Sequence, residues 1–96
     1  MKHKNSQFKH SPLAFYKTKP NGSIVVVHSE ATDFSVINLE DSSAGLWVLM
    51  ATSKSFAELV DWMCNEYEVE RSVAEQDIEE FLNDLLAKQL IESNSL

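Results

Sequence analysis

Ninety-six residues with a 44% apolar fraction, two glycines and two prolines suit one globular domain with a real core, and exclude a fibrous or low-complexity chain. No stretch approaches the ~18 consecutive apolar residues of a membrane span, and the opening MKHKNSQFKHSP lacks the apolar centre of a secretory signal. The net charge of −7 is split: residues 1–22 carry five lysines and no acid, while residues 23–96 carry three cations against all fifteen Asp and Glu, which favours a neutral or basic partner over nucleic acid or anionic membrane.

In chain order, residues 1–11 lack periodicity and read as a flexible basic tail. Residues 13–17 suit a short strand, closed by Pro20-Asn21-Gly22, where Asn-Gly is a strong hairpin signal because both residues accept positive φ. The β-branched run IVVVH at 24–28 predicts a second strand and the alternating DFSVINL at 33–39 a third. The period then becomes helical: Ala44, Trp47, Val48 and Met50 or Ala51 share a spacing that predicts a first helix within 40–52. Gly45 inside it costs about 1 kcal/mol relative to Ala, which implies a close neighbour. A second helix opens at Ser55, where Ser55 and Glu58 form a capping box, and it stacks Phe56, Leu59, Val60, Met63 and Tyr67 on one face. Ser72 and Glu75 suggest the same device for a third helix running to about Gln89, after which Leu90 and Ile91 pack back on the domain. The expected fold is α+β, winged helix-turn-helix-like, with a three-stranded antiparallel sheet followed by three helices.

At 100° per residue the third helix gathers Ala74, Ile78, Phe81, Leu82, Leu85 and Leu86 into one apolar arc. Ile78, Leu82 and Leu85 at its centre are core candidates. Phe81 lies at the border beside Asp77, Asp84 and Lys88, a position for an aromatic that lines a groove. A winged-helix transcriptional regulator uses similar parts, but its recognition helix needs Lys or Arg to neutralise phosphates. This helix carries Glu75, Asp77, Glu79, Glu80 and Asp84 against Lys88, so the DNA-binding reading ranks below a peptide-binding one. A non-catalytic subunit or scaffold of a larger enzyme is the other alternative.

Several segments together carry a family resemblance. They are the hydrophobic strand pair, Ile37-Asn38-Leu39 leading into a helix with Ala44 and Trp47, and the capped Ser55-Phe56-Ala57-Glu58-Leu59-Val60 helix that ends in Glu66-Tyr67-Glu68-Val69. Asp77-Ile78-x-x-Phe81-Leu82-x-x-Leu85 then runs through to Leu90-Ile91. On these segments residues 25–91 resemble the PqqD-like proteins, also called RiPP recognition elements, with Gln89 where a Gly is usual. The resemblance places such a domain at 12–92, between the tail at 1–11 and a flexible C-terminus at 93–96. It implies a protein that binds the leader of a ribosomally made precursor peptide by β-augmentation. The partner would be a modifying enzyme such as a leader peptidase, cyclase or radical enzyme, with a lasso peptide system favoured. Carried onto this chain, the binding edge is Phe34, Ser35, Val36, Ile37 and Asn38, and the groove wall is Asp77, Phe81, Asp84 and Lys88. Asp77 and Asp84 are placed to pair with basic peptide residues, and Phe81 and Val36 to bury apolar ones.

The residues themselves offer no catalytic constellation. His3, His10 and His28 are scattered, with no Cys or carboxylate at metal-ligand spacing. Cys64 on the second helix reads as a small core residue, excludes an internal disulfide and suits the reducing cytoplasm. No Gly-rich phosphate loop or nucleophile elbow occurs. The chain is thus expected to be no enzyme and to hold no metal or cofactor.

Overall fold

The computed structural model describes residues 5–30 and 36–95. Two antiparallel strands, β2 (Ala14–Thr18) and β3 (Ile24–His28), pair in the register Thr18–Ile24 through Ala14–His28. Their connection is a three-residue loop, Pro20-Asn21-Gly22. The Gly22 N–H donates to the Lys19 carbonyl at 2.9 Å, and the Lys19 N–H donates to the Ser23 carbonyl at 2.8 Å. Only Gly22 takes positive φ, 89°. Pro20 presets the turn, which spans Pro20-Asn21-Gly22 as expected, though Asn21 does not take the positive φ that the Asn-Gly pair allows. Asn21 instead accepts from the Ser23 N–H at 3.0 Å and from its hydroxyl at 2.7 Å. The third strand, β4 (Ile37–Leu39), pairs with β3 from Ile24–Leu39 to Val26–Ile37. Ile24, Val26 and Leu39 point into the core and are buried.

Three helices follow: α1 (Ser42–Leu49), α2 (Phe56–Tyr67) and α3 (Arg71–Ala87). Helix α1 buries Ala44, Leu46 and Trp47. At Gly45 an added Cβ would stand 2.3 Å from Trp62 Cη2, so the glycine makes room for an indole from α2. The expected capping box is present on α2. The Ser55 hydroxyl accepts from the Glu58 N–H at 3.1 Å, and the Glu58 carboxylate accepts from the Ser55 N–H at 2.9 Å. The box expected at Ser72 and Glu75 does not form, because α3 starts two residues earlier, with Glu70 as an N-cap that makes no side-chain bond. Ala74, Ile78, Leu82 and Leu85 are buried on α3, and Phe81 and Leu86 are half-buried against the same core.

At its end, α3 turns through Gln89 at φ 59°. The Leu90 N–H donates to the Leu85 carbonyl and the Gln89 N–H to that of Leu86, both at 3.0 Å, the pattern of a Schellman motif. A left-handed residue with a Cβ costs about 1–2 kcal/mol. Gln89→Gly is therefore expected to raise stability by about 1 kcal/mol, read as a higher midpoint in urea denaturation with an unchanged slope.

The reading of residues 1–11 as a flexible tail is corrected over Ser6–His10, which form the strand β1. It is the centre of a second antiparallel sheet, between β5 (Lys54–Ser55) and β6 (Ile91–Ser95). The register runs from Ser6–Ser95 to His10–Ile91, so 93–95 are also strand rather than a flexible end. Phe8 is fully buried in the common core, and that burial is what holds a strand with one apolar residue in five.

His10 ties the two sheets together. Its ring stacks on Trp47 at 3.8 Å between centroids, its Nε2–H donates to the Trp47 carbonyl at 2.6 Å, and Tyr16 meets both rings edge-on. Burial lowers the His10 pKa from its ordinary value, with the Trp47 hydrogen bond opposing part of the shift. The unfolded chain therefore binds this proton more readily. His10 stabilises the fold fully above the ordinary histidine range, and that contribution is lost as pH falls through the lowered value. The melting temperature should drop from about pH 7 to about pH 5, and His10→Gln should flatten that part of the curve.

Candidate functional site

Strand β4 lies at one end of the order β2-β3-β4. Among the described residues its other side is unpaired, because the N-terminal strand joins the second sheet instead. An edge of this kind presents backbone N–H and C=O groups to any extended chain. Of the expected edge residues, Phe34 and Ser35 lie outside the described residues. Ile37 is half-buried against the core, Asn38 is exposed, and Val36, just before the strand, is 52% exposed.

The chain passes from β4 into α1 at a sharp corner. Asp41 there has φ 52° and ψ −120°, a region costly for any residue but glycine. The Ser43 hydroxyl holds the corner, accepting from the Glu40 N–H at 3.0 Å and donating to the Glu40 carbonyl at 2.8 Å. Beyond the corner a groove of about 430 Å3 runs between α1 and α3. Its floor is Leu46, Met63 and Phe81, and its walls are Ser42 and Ser43 on one side and Asp77, Glu80 and Asp84 on the other.

The structure thus brings Asp77, Phe81 and Asp84 together as expected. Lys88 is not part of the lining; it forms an ion pair with Asp84 across one helical turn, and so takes up part of the charge expected to meet a peptide. Val36 is exposed just before the strand and is not part of the groove lining. Glu80, Ser42, Ser43, Leu46 and Met63 were not anticipated. The signal for Glu80 lay in its spacing, three residues after Asp77 and four before Asp84, which puts all three on one helical face.

Among the described residues no group of three or more His, Cys, Asp and Glu is arranged to hold a metal ion, and no helix is long and apolar enough to cross a membrane. The site offers backbone pairing, an apolar floor and carboxylate walls: means of binding.

Two solved structures share the fold. One is TbiB1 in complex with the TbiA(beta) leader peptide, with a TM-score of 0.78 and 28% identity, covering 88% of this chain and 94% of that one. The other is a lasso peptide synthetase B1 complexed with the leader peptide, with a TM-score of 0.75 and 24% identity, covering 88% and 96%. No curated protein matches the chain. The family description "Coenzyme PQQ synthesis protein D (PqqD)" matches residues 23–91. An unpaired strand edge beside a helix-walled groove, on this fold and with that match, makes the chain a member of the PqqD family.

Proposed function

We propose that this protein is a RiPP recognition element that binds the leader of a ribosomally synthesised precursor peptide and delivers it to a modifying enzyme. The observation that carries the reading is the open β4 edge leading into the Phe81 groove. The leader adds as a strand along β4, where its backbone satisfies the edge, and its side chains reach the groove between α1 and α3, where shape and charge select them. Phe81, Leu46 and Met63 receive an apolar residue, and Asp77 and Glu80 favour a basic one nearby. The same carboxylates repel a polyanion, which disfavours the DNA-binding alternative.

Both similar structures hold a leader peptide, and one belongs to a lasso peptide synthetase, which supports a lasso-type precursor here. The chain itself performs no catalysis in this reading, and the chemistry belongs to a partner such as a leader peptidase, cyclase or radical enzyme. It works in the cytoplasm, where precursor peptides are made and where a free cysteine, half-buried at Cys64, stays reduced.

The test is titration of the 15N-labelled protein with synthetic leaders of lasso precursors, including any encoded beside this chain. Amide shifts are expected in Ile37–Leu39 and around Phe81. A leader that binds while moving neither segment, or no binding by any of them at micromolar concentration, defeats the proposal.

A further inference from the structure

The face of the β2-β3-β4 sheet turned away from the helices is apolar and open. The register sets Phe15 opposite Val27, and Lys17 opposite Val25, which in turn faces Asn38. These residues alternate with Ile24, Val26 and Leu39, whose side chains are buried. Phe15 is 61% exposed. With Lys17, Lys19, Pro20, Val25 and Val27 it lines a shallow concavity of about 480 Å3. Val36, exposed one residue before β4, stands where this register, carried one step further, would face Val27, and so extends the row Phe15, Val27 toward the edge proposed to take the leader. A contiguous apolar face of this kind usually marks an interaction surface.

Charge narrows the choice of occupant. Lys17 and Lys19 border the patch, and neither takes part in an ion pair among the described residues. Lys19 reaches across the sheet to donate to Asn38 Oδ1 at 3.3 Å. All fifteen acidic residues lie beyond position 22, so this basic rim differs from the rest of the surface. A second copy is a poor occupant. A two-fold contact would set these lysines against their own copies, and a head-to-tail contact onto the acidic α3 would block the groove without closing. A leader on β4 would become a fourth strand next to Val36 and extend the apolar row.

We propose that this outer sheet face docks the enzyme that modifies the leader-bound precursor, through an apolar surface on that enzyme bordered by Asp or Glu. The proposal rests on the leader-binding reading, and it explains delivery: an enzyme seated here touches the protein and the flank of its leader together.

The test uses the full chain and the purified modifying enzyme encoded with the precursor whose leader binds. Leader affinity is measured by fluorescence anisotropy, and enzyme affinity separately by calorimetry without leader. Phe15→Ser and Lys17→Glu should each weaken enzyme binding at least tenfold while leader affinity stays within twofold. If Phe15→Ser loosens the fold by circular dichroism, the fully surface change Lys17→Glu decides. Wild-type affinity for the enzyme in both variants overturns the proposal, as does a wild-type chain that binds leader but not enzyme. A wild-type dimer by light scattering that Lys17→Glu dissociates also overturns it and assigns the face to self-association. A wild-type chain that binds the enzyme but none of the leaders defeats the leader reading and leaves this surface standing, whereas a variant that loses leader binding alone, with enzyme binding intact, overturns the present proposal.

Discussion

Removing residues 1–11 is expected to unfold the domain, and Phe8→Ala to cost about 3–5 kcal/mol. Phe8 is fully buried at the centre of the second sheet. Its strand supplies the ladder for β6 and part of that for β5, so truncation removes the aromatic and also orphans the partners' backbone groups. Domains of this size are stable by only about 5–15 kcal/mol, and a loss of that order leaves little folded protein at 37 °C. Urea denaturation followed by circular dichroism measures both variants. A midpoint unchanged by the truncation would restore the tail reading and refute the strand.

The second large effect falls on binding. Phe81→Ala is expected to weaken leader affinity at least tenfold, a loss of about 1.4 kcal/mol or more. The ring is half-buried and forms the groove floor with Leu46 and Met63, where an aromatic at the centre of a desolvated contact contributes most. Some folding stability goes with it, so affinity is compared at a temperature where the variant remains folded. Val73→Ala is the control, since Val73 is on the same helix, 45% exposed and outside the groove. Equal affinity for wild type and Phe81→Ala would move the leader away from α3.

Much of this architecture was legible because its signals are local. The Ser55–Glu58 box fixes the start of α2 within four residues of sequence, the apolar spacing of Ile78, Leu82 and Leu85 marks the buried face of α3, and the run at Ile24–His28 has no better use than a strand. What escaped depends on distant partners. Ser6–His10 carries one apolar residue and becomes a strand only because Ile91–Ser95 lies beside it. Gly45 showed that something must approach closely, but that the neighbour is Trp62 follows from how α1 and α2 cross. The start of α3 was misread because Ser72 and Glu75 have the spacing of a cap, while the turn after α2 brings Glu70 to that position.

The candidate site divides along the same line. Asp77, Phe81 and Asp84 were readable from one helix. Their opposite wall, Ser42 and Ser43, belongs to another element, and residues facing each other across a groove share no sequence period. The Lys88–Asp84 pair was within reach of sequence, since it sits at the i,i+4 spacing that favours ion pairs.

The Ser6–Ser95 pairing has a consequence for biogenesis. Strand β1 finds its long partner β6 only after nearly all of the described chain has been translated, and until then its one ladder partner among the described residues is the two-residue Lys54–Ser55 segment. Nascent chains still short of Ile91 thus display a basic, aromatic-bearing strand with one flank bare, and the native state is sealed by its opposite extremity closing over it.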